Sequence, residues 1–118
     1  MRRRDIIILR KIISEINIGL EMLGTASLED FLDDEKLKRA VSMTVINIGE
    51  LIKNITDETR QENKQVPWKA VAGMRDIAAH KYQTLRMEDV YYTVQRDFPD
   101  LRKRMKEILE KIDTSEND

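Results

Sequence analysis

The stretch RAVSMTVINIGELI, residues 39–52, shows most clearly which fold class this chain adopts. It lies within a longer stretch in which mostly apolar residues recur every three or four positions: Leu37, Ala40, Val41, Thr44, Val45, Ile48, Leu51, Ile52 and Ile55. On an α-helix this spacing brings the side chains to one face. We therefore predict a helix here, the second in chain order, and expect it to pack antiparallel to the first.

The chain before this stretch has the same helical spacing. We predict a first helix from about Arg3 to Leu23, because its apolar side chains follow one stripe and Gly24 is well placed to end it. A short turn or helix follows, in which Ser27 and Asp30 have the spacing of a capping pair. The predicted stripe of the first helix consists of Ile6, Leu9, Ile13, Ile16, Leu20 and Leu23.

The chain after the second helix also has helical signals. The polar segment TDETRQENKQ, residues 56–65, is either an exposed extension of the second helix or a loop. Pro67 suits the first turn of a third helix, in which Trp68 serves as a core anchor. The last helical region begins near Met87, and Pro99 should kink or split it.

Together these patterns predict an all-α fold with a single domain over residues 1–118. No stretch alternates with a period of two for long enough to form a strand. A chain of 118 residues suits one domain with one core. Residues 113–118, with the sequence DTSEND, carry no apolar side chain, so we predict a disordered tail there.

The composition excludes several classes of protein. Charged residues make up 36% of the chain while the formal net charge is -1, so the basic excess of a dedicated duplex-DNA binder is missing. The chain has no cysteine, which removes thiolate nucleophiles and cysteine metal sites and fits a reducing cytoplasm. Charges at Asp5, Arg10 and Glu15 interrupt the apolar N-terminal segment, so we predict neither a signal peptide nor a membrane span.

The segment RDIAAHKY, residues 75–82, carries the candidate functional residues. Each residue of a helix advances the direction by about 100°, so Arg75, Asp76 and His80 share one face. Asp76 stands four residues before His80, close enough to hydrogen-bond the imidazole and fix its tautomer. Tyr82 projects about 160° away from His80 by the same geometry. The opposite arc, which should face the core, carries Val71, Met74, Ile77 and Ala78.

Each of these residues also has a purely structural interpretation. Asp76 and His80 could form an ordinary surface pair that contributes a few tenths of a kcal/mol. Arg75 could be a solvated surface charge, and Tyr82 could be a core residue with its hydroxyl at the surface. Only their combination favours a functional site.

The combination resembles the signature of HEPN domains, and most closely that of the HepT branch, toxins that pair with a nucleotidyltransferase antitoxin. The resemblance covers the chain from Asp5 to Ile112 and implies a bundle of four to five helices that dimerises through the motif-bearing helices. It also implies a metal-independent ribonuclease that needs no cofactor. Three segments carry the resemblance: RAVSMTVINIGELI, VPWKAVAGMRDIAAHKY at residues 66–82, and FPDL at residues 98–101.

The resemblance implies a role for each matching residue. Arg75 and His80 would be catalytic, with Asp76 as the supporting polar residue beside the arginine. Tyr82 would be the tyrosine to which the antitoxin adds AMP, silencing the nuclease. Glu50 is either part of the site or structural. The alternative to a nuclease is a non-catalytic HEPN binding module, or an accessory subunit of a nucleotidyltransferase.

The chemistry of RNA cleavage suits these side chains. RNA supplies its own nucleophile, the 2'-hydroxyl, so the protein must position the backbone, move protons and stabilise negative charge. Arg75 can grip two phosphoryl oxygens, and His80 can act as base or acid near neutral pH. One chain has only one His, whereas a mechanism with both a base and an acid needs two groups. A symmetric dimer would supply the second His80, so we expect a composite site between two copies.

Overall fold

The computed structural model describes residues 3–71, 73 and 85–117 of the chain. All regular elements in these ranges are helical, which confirms the predicted all-α class. Residues 68–71 form the start of a further helical stretch. The elements are α1 (Arg3–Leu23), α2 (Leu28–Asp33), α3 (Glu35–Ile52), α4 (Asp57–Glu62), α5 (Met87–Tyr92), a π-helical turn (Thr93–Asp97) and α6 (Phe98–Asn117).

The first two helices begin and end where local sequence signals predict. Gly24 follows α1 with a φ of 53°, a left-handed conformation that glycine adopts without strain, and its N–H donates to the Leu20 carbonyl at 2.9 Å. The Ser27 hydroxyl caps α2 by accepting a hydrogen bond from the Asp30 N–H at 3.1 Å. Both predictions are confirmed.

The second predicted helix ends earlier than its apolar stripe. Asp34 caps α3 by accepting a hydrogen bond from the Leu37 N–H at 3.0 Å, and the helix stops at Ile52. Ile55, the last residue of the predicted stripe, is buried outside the helix. The polar segment that follows is neither an extension of α3 nor a loop throughout, because it contains the separate helix α4 with Thr56 as its N-cap.

The three long helices pack side by side, with α1 in contact with both others. Asp5 near the start of α1 contacts Thr56 just beyond the end of α3, whereas Gly19 lies beside Thr44 within α3. The two helices therefore run antiparallel, as predicted. A hydrogen bond of 2.8 Å from Arg102 to Asn17 aligns α6 along α1.

The core lies between these helices, and its large fully buried side chains come from several of them. The buried face of α1 is rotated slightly from the predicted stripe: Ile6, Ile13 and Leu20 are only partly buried, while Ile12 and Gly19 are buried. The largest side chains that are almost completely inaccessible are Phe31, Phe98, Leu9, Ile12, Ile16, Ile48, Ile52, Met105 and Ile108.

The last helical region is split just before Pro99, as predicted. Proline lacks a backbone N–H, and in a regular helix its ring collides with the carbonyl four residues earlier, here that of Gln95. The chain widens into a π-helical turn at this point, and the Phe98 N–H donates to the carbonyl of Thr93, five residues back. Pro99 then lies in the first turn of α6, where its missing N–H has no consequence.

Helix α6 continues beyond Ile112 to Asn117. The structure therefore assigns residues 113–117 to a helix, whereas their composition predicted a disordered tail. None of the described helices has both the length and the apolar content needed to cross a membrane.

Gly19 lets α1 approach its neighbours closely. A Cβ atom at this position would lie 2.8 Å from the Phe98 ring and 2.8 Å from the Thr44 hydroxyl, well inside van der Waals contact. At Gly73, in contrast, no other described residue outside its own helical turn has an atom within 4 Å of the place where a Cβ would lie.

We predict that Gly19→Ala lowers the free energy of unfolding by about 1–3 kcal/mol, because the added methyl group overpacks the contact between α1, α3 and α6. The matched variant Gly73→Ala should leave stability unchanged or raise it by up to about 1 kcal/mol, since alanine favours a helix more than glycine does. Urea unfolding of both variants tests this. Equal stability of the Gly19→Ala variant and the parent would contradict the close packing described here.

Candidate functional site

The predicted site residues Arg75, Asp76, His80 and Tyr82 lie outside the described residues. The shared face of Arg75, Asp76 and His80 and the separate direction of Tyr82 therefore stay predictions. The structure does describe the chain that leads into this segment, up to Val71 and at residue 73, and the chain that leaves it from Leu85 onward. These two flanks show how the fold holds both ends of the candidate site.

The entry to the segment is held by Trp68. Its indole N–H donates to the Asn63 carbonyl at 2.9 Å and to the Arg60 carbonyl at 3.1 Å. The indole is half-buried and packs against the core, so the prediction of a core anchor is confirmed. Pro67 lies just before the first helical residue, and its carbonyl accepts a hydrogen bond from the Val71 N–H at 2.9 Å. The helical stretch thus starts from a fixed position.

A small groove separates this entry from α6. It encloses about 140 Å³. Arg104 of α6 bonds to Asp100 at 2.8 Å and also donates to the Gln65 carbonyl, so it ties α6 to the turn before Pro67. The groove is lined by Pro67, Ala70, Val71, Asp97, Asp100, Leu101 and Arg104.

The exit from the segment is held by different helices. Met87 begins α5, and the Ser42 hydroxyl of α3 lies 3.6 Å from its sulfur. One turn later the Tyr91 hydroxyl donates to the Ala26 carbonyl at 2.8 Å, and its ring lies 5.5 Å from that of Phe31. The motif-bearing segment is therefore anchored at one end to α4 and α6, and at the other end to α2 and α3.

Asp5 is a buried charged residue that the sequence analysis did not single out. Its side chain is completely inaccessible, and its carboxylate accepts hydrogen bonds from the Thr56 N–H at 3.1 Å, the Thr56 hydroxyl at 2.7 Å and the Thr59 hydroxyl at 2.6 Å. The signal was present in the sequence, because Asp5 has helical spacing with the buried residues Leu9 and Ile12.

These contacts determine the ionisation of Asp5. Burial alone would raise its pKa, but the hydrogen bonds from Thr56 and Thr59 outweigh this effect and lower the pKa below its ordinary value of 3.8, with the charge of Arg4 adding to the decrease. A carboxyl whose pKa is lowered by folding stabilises the folded state above its unfolded pKa and loses that contribution as the pH falls. Asp5 is therefore a charged partner of Thr56 and Thr59 at neutral pH.

Glu50, whose role the sequence left open, lies on the outer side of α3. Its carboxylate is exposed and pairs with the Lys53 ammonium at 2.5 Å. It lines a shallow surface groove between α1 and α3 together with Lys11, Ser14 and Asn47. Within the part of the chain that the structure describes, Glu50 is therefore a surface residue that forms an ion pair with Lys53.

The described residues contain no group of three or more His, Cys, Asp or Glu side chains placed to hold a metal ion. His80 and Asp76 are outside the residues to which this statement applies.

Comparison with known proteins identifies the class of the chain. Residues 9–108 match the family described as Ribonuclease HepT-like. The match covers most of the chain and includes Arg75, Asp76, His80 and Tyr82. The protein therefore belongs to the HepT-like ribonuclease family, which confirms both the resemblance seen in the sequence and the prediction of a ribonuclease.

Several curated relatives carry related names. The "Putative RNase TTE0752" of Caldanaerobacter subterraneus subsp. tengcongensis is 38% identical over 103 residues, which cover 87% of this chain and 92% of that protein. The "Probable ribonuclease HepT" of Thermococcus cleftensis is 31% identical over 108 residues, or 92% of this chain and 98% of that protein.

A third relative is longer than this chain. The "Gamma-glutamylcyclotransferase and putative RNase MJ0434" of Methanocaldococcus jannaschii is 33% identical over 116 residues, 98% of this chain but only 52% of that protein. No solved structure matches the chain significantly.

Proposed function

We propose that this protein is the endoribonuclease toxin of a toxin–antitoxin pair, acting in the cytoplasm on RNA without a metal ion. In this proposal two copies of the chain form one composite site from Arg75 and His80. The observation that carries the proposal is the family match over residues 9–108, which includes both residues at the spacing typical of the HEPN signature. The two anchored flanks support it, because a site needs a rigid frame to hold its catalytic groups in register.

The proposed reaction uses the 2'-hydroxyl of RNA as the nucleophile. One His80 removes its proton while the His80 of a second copy protonates the departing 5'-oxygen, so the proton balance is closed within the dimer. Arg75 stabilises the negative charge that builds up on the phosphoryl oxygens. Asp76 supports this arrangement by orienting the imidazole of His80.

We predict that His80→Ala lowers the rate of RNA cleavage by about 100-fold or more, because general acid–base catalysis contributes on that scale. Arg75→Ala should produce a comparable loss, since an arginine fork is replaced by a group that cannot stabilise charge. Cleavage of end-labelled RNA in excess chelator measures both effects. Glu21→Ala, which removes an exposed side chain from α1, is the matched control and should retain full activity.

Equal cleavage by the His80→Ala variant and the parent would contradict the catalytic role of His80. A parent protein that binds RNA or a nucleotide but does not cut RNA would instead favour the non-catalytic binding module.

The composite site requires a homodimer in which the two His80 side chains approach one another. Because the chain has no cysteine, His80→Cys would introduce a single thiol per copy. We predict that a short bismaleimide reagent joins the two copies of this variant, because in the proposed reaction the two His80 side chains flank a single phosphodiester. Denaturing electrophoresis measures the product, and Glu21→Cys should remain uncrosslinked.

Two outcomes would contradict the composite site. One is a parent protein that sediments only as a monomer. The other is a dimer in which the His80→Cys variant does not crosslink.

We further propose that a nucleotidyltransferase antitoxin silences the protein by adding AMP to Tyr82. The test is incubation with ATP and the candidate nucleotidyltransferase antitoxin, followed by peptide mass spectrometry. We predict the mass of AMP on Tyr82 together with loss of cleavage, and no addition to a Tyr82→Phe variant. The other tyrosines make internal contacts: Tyr91 bonds to Ala26, and Arg96 lies 4.4 Å above the Tyr92 ring. An unmodified Tyr82 peptide would contradict this regulation.

A further inference from the structure

The cluster of Asp5, Thr56 and Thr59 joins the start of α1 to the start of α4. All three residues share hydrogen bonds: the two threonine hydroxyls donate to the carboxylate, and they lie 3.2 Å from one another. A carboxylate with no access to water is costly unless its oxygens are satisfied, so these donors must stay in place while Asp5 is buried. The cluster therefore fixes where the chain turns from α3 into α4.

Helix α4 depends on this cluster for its position. It spans only Asp57–Glu62, and so short a helix is not stable by itself in water. Its one buried side chain is Thr59, a member of the cluster, so α4 contributes no large apolar side chain to the core. The hydrogen bonds to Asp5 are thus the main buried contact that holds α4 against α1.

The contacts continue from α4 to the entry of the motif-bearing segment. The Asn63 amide, which is buried, donates to the Thr59 carbonyl at 2.9 Å. The carbonyls of Asn63 and Arg60 in turn accept the indole N–H of Trp68. A continuous path of hydrogen bonds therefore runs from Asp5 through α4 to Trp68.

Trp68 stands seven positions before Arg75, which is about two turns of a helix. A displacement of about 1 Å in a catalytic group can lower a rate by about 100-fold. The position of Trp68, at the start of the motif-bearing segment, therefore matters for the reaction. We propose that Asp5 is a positioning residue for RNA cleavage, because it fixes the position of Trp68 through Thr56, Thr59 and α4. The inference rests on the proposed function, since it assigns the role to the Arg75 and His80 site.

Asp5 differs from the residues that only stabilise the packing of the long helices. Apart from the Arg102–Asn17 hydrogen bond, the contacts of α1 with α3 and α6 are mainly between apolar side chains, and they do not pass through Asp5. Loss of its charge should therefore loosen α4 and Trp68 while the three long helices stay packed. Gly19 offers a control of the opposite kind, because a methyl group there disturbs the packing of α1 against Phe98 and Thr44 without touching Asp5, Thr59 or Trp68.

The experiment compares the purified, full-length variants Asp5→Asn, Thr59→Val and Gly19→Ala with the parent. Thr59→Val keeps the shape of the side chain and removes one hydrogen bond to Asp5, so it tests the same cluster should Asp5→Asn fail to fold. The first readout is kcat and KM on a labelled RNA. The second is the indole N–H signal in a nitrogen–proton NMR spectrum, which belongs to Trp68 alone because the chain has one tryptophan.

For Asp5→Asn we expect kcat to fall by about tenfold or more with little change in KM, because RNA binding is kept while the catalytic groups shift. Hydrogen exchange at the Trp68 indole should speed up by about tenfold. The variant weakens the hydrogen bonds from Thr56 and Thr59, because bonds to a charged carboxylate are among the stronger ones, and this loosens α4. Thr59→Val should show the same pattern, weaker in both readouts. Gly19→Ala should lower the melting temperature by overpacking α1 while leaving both kcat and the Trp68 signal unchanged.

Two results would overturn the inference. One is an Asp5→Asn variant that loses stability but keeps its kcat and its Trp68 signal. The other is a loss of kcat in Gly19→Ala as large as that in Asp5→Asn, which would mean that any loss of stability impairs the reaction. A parent that cuts no RNA contradicts the proposed function itself, whereas an active parent with a fully active Asp5→Asn variant contradicts only the role of Asp5.

Discussion

Burial of one face of α1 is the constraint on which the rest of the structure depends. Leu9, Ile12 and Ile16 are completely inaccessible, and they are covered from two sides by α3 and α6. At about 1.5–3 kcal/mol for each fully buried aliphatic side chain, this face supplies a large share of the stability. Because the same face carries Gly19 and Asp5, it also determines how closely Phe98 can approach and where α4 begins.

The fold holds the candidate site by its two ends. Trp68 attaches the entry to α4, and Met87 attaches the exit to α3, so the motif-bearing segment joins two regions of the bundle that are separately fixed. This arrangement suits a reaction in which the protein contributes position and charge while the substrate supplies the nucleophile. Under the proposed function, residues remote from Arg75 and His80 would affect the reaction by fixing the two ends of this segment.

Local signals made much of the fold predictable. Gly24, Ser27 and Pro99 act through their own backbone or side chain, and each ends, caps or splits a helix where the sequence predicted. Helix α4 was not predicted, because its polar residues gain their structure from a carboxylate more than fifty positions away in the chain. The exact buried face of α1 was missed for a similar reason, since Gly19 is buried only because Phe98 packs against it.

The sequence by itself determined the all-α class, several helix ends, the family and the identity of the candidate residues in RDIAAHKY, because each of these depends on spacing or on neighbouring residues. Only the tertiary structure decided the rest. The hydrogen bonds that Thr59 donates to the buried Asp5, and Arg104 to the Gln65 carbonyl, depend on which groups meet when helices pack. A hydrogen bond between distant positions leaves no periodic pattern in a single sequence, so its two partners can be identified only in the folded structure.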